Sequence, residues 1–470
     1  MTVKISEKLQ KAFDTAKADL TVDPAKLLSI TDRFVSELEK GLSKEGGNIP
    51  MIPGWVMDYP TGSETGEYLA IDFGGTNLRT VRVTLLGDSK FTFKFDKFEI
   101  PADIRVGKSE DLWEFMAASL DTFVKQEFKD GVEGKLPLGF TFSYPASQDA
   151  INEGVLQRWT KGLDVDDVEG HDVVPLLQKA IDDKKTPVTV VALINDTTGT
   201  LVASKYTHPD TVMGLIFGTG VNGAYYDYAS AIPKLEGKLP EDIAIEGTPM
   251  AINCEYGAFD NEHVSLPRTK YDIQIDNESP RPGQQAYEKM IAGYYLGEVL
   301  RLILLEWYGE GLVFEGQDIS GLQTAFAMDT SYPSRIEENG EKFVSTLFKE
   351  SFNIDVNEIE AKLIHDLCAL IGTRASRLSI CGVAAIIKKS GLTSGKLAAD
   401  GSVFNKYPKF KERATTGLND IFNWGGEPDT YPFQFFHAED GSGVGAAVIA
   451  CLTEKRIAAG KSVGTIQSKL

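Results

Sequence analysis

Two stretches of this chain share one plan, a β-prone run, a glycine turn and a second β-prone run: LAIDFGGTNLRTVRV at residues 69–83 and TVMGLIFGTGVNGAYYDY at residues 211–228. Apolar residues flanking a turn that small residues fill describe a strand hairpin. Around the first stretch, EYLAIDF, RTVRVTLL and KFTFKFDKFEI read as three strands, and SEDLWEFMAASLDTFVKQEF after them reads as a helix. After the second, helical periodicity runs through QQAYEKMIAGYYLGEVLRLILLEWY and EIEAKLIHDLCALIGTRASRLSICGVAAIIKKSG. A chain of 470 residues exceeds what one hydrophobic core supports. Two related domains of mixed α/β structure, facing one cleft, are therefore predicted, with two unrelated hairpins as the plainer alternative.

Several glycine motifs fail on context. Asp72-Phe73-Gly74 repeats the letters of the magnesium-binding segment of protein kinases, but no V-A-I-K strand or H-R-D loop accompanies it. Gly218-Thr-Gly220-Val-Asn-Gly223 matches a dinucleotide fingerprint, yet runs into a strand where that fingerprint must open a helix. Gly441-Ser-Gly443-Val-Gly445-Ala446 does lie between a strand and a helix, but too near the end of the chain for the βαβ unit that should follow. What survives is backbone chemistry. Gly74-Gly75-Thr76 and Gly218-Thr219-Gly220 offer unobstructed N–H groups and hydroxyls that grip phosphate oxygens without net positive charge. Asp72, at the end of the first strand, is placed to face a magnesium ion carried in by a nucleotide, through water.

That mode of phosphate binding suits a chain of net charge −20, whose overall field repels anions and argues against nucleic acid or an anionic membrane as partner. Four scattered cysteines give no zinc or disulfide framework, the first twenty residues lack the pattern of a signal or transit peptide, and no window reads as a membrane span. A cytoplasmic, reducing location is expected. The closing Ser468-Lys469-Leu470 matches a peroxisomal import tripeptide, with a frayed tail as the plainer reading.

Ordered along the chain stand LAIDFGGTNLR, LGFTFSYPASQ, WTKG, VALINDTTGTLVAS, IFGTGVNGAYYD, PMAINCEYGAFD, RPGQQAYEKM and ADGSVFNKYPKFKE. Together they make the chain similar to the hexokinase family over nearly its whole length, above all to the yeast members. The resemblance implies two actin-like (ribonuclease H-like) domains hinged around a central cleft: 1–62 with 197–443 as the large domain, 63–196 with 444–470 as the small one. It implies an ATP:hexose 6-phosphotransferase that works on glucose, and on fructose and mannose, with MgATP, as a monomer or homodimer. Asp196 matches the family's catalytic base and Lys161 its charge-offsetting partner. Ser143, Thr160, Lys161, Asn195, Asn222, Glu255 and Glu288 match its sugar contacts. For ATP the matching positions are Asp72, Gly74, Gly75, Thr76, Asn77 and Lys97, faced by Thr219, Gly293, Thr330, Ser334, Ser402 and Asn405.

Without the family, Asp196 reads as the N-cap of the helix TTGTLVASKY and Glu288 as part of a solvated helix face. Two further readings on the same scaffold are a glucose-selective glucokinase and a sugar sensor without turnover. A sensor would be expected to have lost Asp196, Lys161 or a phosphate turn, and all three are present.

Overall fold

The computed structural model describes residues 5–159 and 162–468. Thr160 and Lys161, expected at the sugar, and Lys469 and Leu470 of the closing tripeptide lie outside them.

Among the described residues, thirteen strands are arranged in two main sheets and one short hairpin. In chain order they are β1 (Ile52–Pro53), β2 (Thr65–Phe73), β3 (Asn77–Gly87), β4 (Lys90–Glu99), β5 (Leu136–Phe142), β6 (Ala146–Ser147), β7 (Val155–Leu156), β8 (Val188–Ile194), β9 (Thr211–Phe217), β10 (Val221–Tyr228), β11 (Pro249–Asn253), β12 (Gly395–Asp400) and β13 (Phe433–His437). The first sheet runs β4-β3-β2-β5-β8, and the second runs β1-β11-β10-β9-β12-β13. Apart from the two-residue β1, the orders are identical: three antiparallel strands joined in sequence, then two strands parallel to the first. The duplicated hairpins seen in the sequence are thus the opening strands of two copies of one topology. Every residue of β5 is buried, as expected of a parallel strand covered on both faces, whereas the edge strand β4 is largely exposed and carries Lys90, Lys94 and Lys97.

Two helices join the sheets. The helix Asp196–Thr207 packs on β9, β10 and β12, and the helix Gly441–Ala458 packs on β2, β5 and β8. They also pack on each other, backbone to backbone. A Cβ on Gly445 would lie 2.2 Å from the Gly199 carbonyl oxygen, so only glycine allows this approach. The second helix is continuous from Gly441, so a division at 443/444 cuts its first turn. The segment after it bonds to both halves. Val463 O accepts from Ile151 N and Thr465 N donates to Asp149 O beside the first sheet, while Ser462 N donates to Asp242 and Ile466 N to Lys238 O on the second-sheet side.

The apolar run at residues 284–308 is two helices, Ala286–Ile291 and Leu296–Gly309, because Gly293 N turns away to donate to Gly218 O at 2.8 Å. The 33-residue helix Glu358–Ser390 corrects another expectation. By length and composition it is apolar enough to cross a membrane, and 83% of that apolar stretch is buried inside the protein, as in a core helix. It is closed by a capping box, with Asn357 accepting from Glu360 N and Glu360 from Asn357 N, and it ends at Gly391 in the left-handed region.

Gly445→Val forces the two joining helices apart, and urea unfolding is expected to show a loss of about 1–3 kcal/mol. Full stability in that variant would show that the close approach is dispensable.

Candidate functional site

The two glycine turns lie at the ends of β2 and β9, and the helix joining β8 to the second unit begins beside them. Its cap differs from the sequence expectation. Asn195 is the N-cap, accepting from Thr197 N at 2.8 Å, and Asp196 is the first helical residue. This frees the Asp196 carboxylate from capping; its Oδ1 accepts the Thr197 hydroxyl at 3.2 Å. Position at a helix N-terminus favours a negative charge there.

Asp72, at the end of β2, is close enough to Asp196 for their charges to interact. Burial is the main force raising the Asp72 pKa; the Ser442 hydrogen bond opposes it, and the Asp196 charge adds to the rise. Ser442 Oγ donates to Asp72 Oδ2 at 2.6 Å, and Ser442 is itself held by Thr141, whose hydroxyl donates to its carbonyl. Ser442 sits in the first turn of the Gly441 helix, capped by Asp440, which Arg79 clamps with two bonds of 2.6 and 2.7 Å. Two helix N-termini therefore open at the same carboxylates.

The first turn is closed by Gly74 N donating to Asn77 O, and Asn77 Nδ2 donates to the Thr76 hydroxyl. Gly74 has no positive φ, and a Cβ there would meet nothing nearer than 3.8 Å. Neither strain nor crowding within the protein demands glycine at this position. In the second turn a Cβ on Gly220 would lie 2.8 Å from Glu288 Oε2, the oxygen that accepts from Val221 N. Glu288 is thus half-buried against the turn and is no part of a solvated face.

Glu255 is the hub of the polar residues on that side. Its Oε1 accepts from Asn195 at 3.4 Å, Asn222 at 3.0 Å and Asn253 at 2.9 Å, and its N–H donates to Asn222 Oδ1. Asn222 and Asn253 are also bonded to each other. Glu255 and Gln285 are both non-glycine residues in the left-handed region, with φ of 53° and 56°, a strain that collects at functional sites. Gln285 Oε1 is buried beside Gly257 without a hydrogen-bond partner. Ser143 follows β5 directly and is half-buried.

Beyond the second turn, Gly218, Gly293 and Thr330 form one chain of contacts, since the Thr330 hydroxyl donates to the Gly293 carbonyl. Gly401, with φ 110° and a Cβ position 2.5 Å from the Phe217 carbonyl oxygen, brings Ser402 beside Gly218. Asn405 bonds Asp400 and His437, and Ser334 Oγ donates to Lys406 O on the same short helix, Ser402–Lys406. Thr219 is exposed at the apex of its turn. Lys97 is exposed on β4 opposite Arg79.

Ser442, Asp440, Arg79, Asn253 and Gln285 were not among the sequence candidates. The glycines of residues 441–446 do mark the start of a helix, and its first turn bonds Asp72 through Ser442. Asn253 lies inside the quoted stretch PMAINCEYGAFD. Arg79 and Gln285 likewise lie inside LAIDFGGTNLR and RPGQQAYEKM.

Hexokinase family models match residues 12–206 and 212–452 of the chain. The chain belongs to the hexokinase family. It is 62% identical to a Kluyveromyces lactis hexokinase over 94% of this chain and 92% of that one, and 58% identical to Saccharomyces cerevisiae hexokinase-2 over 98% and 96%. Among solved structures, a Schistosoma mansoni hexokinase complexed with glucose matches with TM-score 0.83 at 32% identity, covering 94% of this chain and 99% of that one. The repeated sheet topology is therefore that of the two-domain, actin-like hexokinase fold, and the protein is a hexose-phosphorylating kinase.

For this hexokinase, Asn253→Ala leaves Glu255 and Asn222 short of a partner each. The sugar KM is expected to rise about tenfold, with kcat changed less, measured by steady-state kinetics with varied glucose. An unchanged KM would remove Asn253 from the site.

Proposed function

We propose that this hexokinase transfers the γ-phosphate of MgATP to the 6-hydroxyl of glucose, and of fructose and mannose, with Asp196 as general base. The observation that carries the reading is the place of Asp196. Its carboxylate stands at a helix N-terminus, beside the Asn195–Asn222–Glu255 network and within charge range of Asp72. Phosphoryl transfer asks for positioning, charge stabilisation and one base. Asn195, Asn222, Glu255, Glu288 and Ser143 present donors and acceptors to the sugar hydroxyls, with Thr160 and Lys161, and Asn253 and Gln285 complete the set. Such buried polar groups penalise a ligand that lacks a matching hydroxyl.

The N–H groups of Gly75 and Thr76 and of Thr219 and Gly220 receive the phosphates, and the bare Gly74, whose own N–H closes its turn on the Asn77 carbonyl, leaves the room a phosphate needs. Asp72, oriented by Ser442, faces the magnesium that arrives with ATP, through water. Lys161 and Lys97 offset phosphate charge, and Thr219, Gly293, Thr330, Ser334, Ser402 and Asn405 line the nucleoside side. The large lobe comprises 1–62 and 197–440, and the small lobe 63–196 with the chain from the Gly441 helix onward. Closure of the lobes over sugar excludes water from the phosphoryl group.

Asp196→Ala is expected to lower kcat by about 10²–10⁴-fold while glucose still binds, as read by coupled assay and by calorimetry. Retained turnover would remove Asp196 as base. A kcat/KM comparison of glucose, fructose, mannose and galactose tests breadth, and activity on glucose alone would make the enzyme a glucokinase.

A further inference from the structure

The segment Ser279–Gln285, which leads into the short helix carrying Glu288, is organised around one buried carboxylate. Asp276 Oδ1 accepts from Lys289 Nζ at 2.6 Å and from Gly283 N at 3.0 Å, and its Oδ2 accepts from Arg268 at 2.9 Å. Burial alone would raise the Asp276 pKa, but the Lys289 and Gly283 hydrogen bonds and the Arg268 charge outweigh it and hold the carboxyl below its usual value. Lys289 also donates to the Arg281 carbonyl at 2.7 Å, so the backbone of Arg281 is fixed to the helix that holds Glu288.

The Arg281 side chain reaches out of this frame to the other lobe. Its Nη2 donates to the carbonyl of Trp159 at 3.1 Å. Trp159 belongs to the apolar core of the first-sheet lobe and is held there at two more points. Its N–H donates to Glu169 Oε1 at 2.6 Å and its indole Nε1 to Val165 O at 3.0 Å. Its ring meets Tyr144 edge to face with centroids 5.0 Å apart, and the Tyr144 hydroxyl donates to the Gly74 carbonyl in the first glycine turn. Trp159 directly precedes Thr160 and Lys161, and Tyr144 directly follows Ser143.

We propose that Arg281 is a positioning residue: a latch that ties the Glu288 side of the sugar pocket to Trp159 of the opposite lobe, and through the Trp159–Tyr144 pair to Ser143. The proposal rests on the assignment of Glu288 and Ser143 to the sugar. Arg281 touches no reacting atom in this scheme. It fixes Trp159 against the ring of Tyr144, which directly follows Ser143, so its loss acts on the binding of sugar and leaves the chemical step alone. A lysine at this position still offers a cationic donor to the carbonyl, whereas methionine fills the space and offers none.

The test compares Arg281→Met with Arg281→Lys in the full-length enzyme, by steady-state kinetics with glucose and MgATP varied in turn and by thermal unfolding. Expected for Arg281→Met is a KM for glucose raised about tenfold, kcat within twofold of the parent and an unchanged melting temperature. Arg281→Lys should recover to within about threefold of the parent KM. A parental KM for glucose in Arg281→Met overturns the latch. So does a loss that falls equally on kcat and both KM values, or one that lysine fails to recover, since each marks a general structural role. Glu288→Gln, assayed alongside, separates the two readings. A raised glucose KM in Glu288→Gln with an unaffected Arg281→Met removes the latch alone, whereas a parental glucose KM in Glu288→Gln removes the sugar assignment on which the latch rests.

Discussion

The rest of the structure depends on the contact between two helix backbones at Gly199 and Gly445. Because no side chain separates them there, the first turns of both helices meet, and a Cβ on Gly199 would lie 2.5 Å from the Gly441 carbonyl oxygen. Each helix belongs to a different sheet, so the contact is the joint between the lobes and also the place where two N-termini converge. Helix N-termini carry partial positive charge and unpaired N–H groups. They are directed here at the Asp196 and Asp72 carboxylates, the two groups expected to handle a proton and a metal. Widening this joint would separate those carboxylates as well as the lobes.

The same convergence answers the electrostatic problem of the composition. A protein of net charge −20 must hold a polyphosphate without a basic field. Among the described residues the ATP-side candidates contribute one lysine, Lys97, and it is exposed on an edge strand. What remains is a set of oriented dipoles from two glycine turns and two helix ends. Dipoles act over short distances, so affinity depends on how accurately the turns are placed. The bonds from Tyr144 to Gly74, from Gly293 to Gly218 and from Val221 to Glu288 all brace those turns.

Much of this was legible in the sequence. The two hairpins β2–β3 and β9–β10, and the strand β4 after the first, follow from alternating apolar runs and glycine turns, which are local signals. The break at Ala292–Gly293 was not legible, because helical periodicity continues across it and its cause is a carbonyl 75 residues earlier, that of Gly218. Glu288 could not be told from a solvated residue, since what buries it is the Val221 amide of another strand. The capping role of Asn195 in place of Asp196 turns on one residue of register, finer than propensity resolves. Ser442 acts through Asp72, 370 positions away, so only folding brings the pair together. The apolar helix Glu358–Ser390 shows the converse limit, because composition alone does not tell a core helix from a membrane span.

The segment following the Gly441 helix sets a mechanical condition on the cleft. Within five residues, Ser462 and Ile466 bond to one lobe while Val463 and Thr465 bond to the other. Fully extended, five residues span only about 17 Å, and this seam is already stitched on both sides. At this edge the lobes therefore cannot slide apart or shear without tearing one row of bonds. Rotation about the seam leaves both rows intact. Of the six ways in which two rigid bodies can move relative to each other, a turn about this seam is the one that costs none of its four bonds.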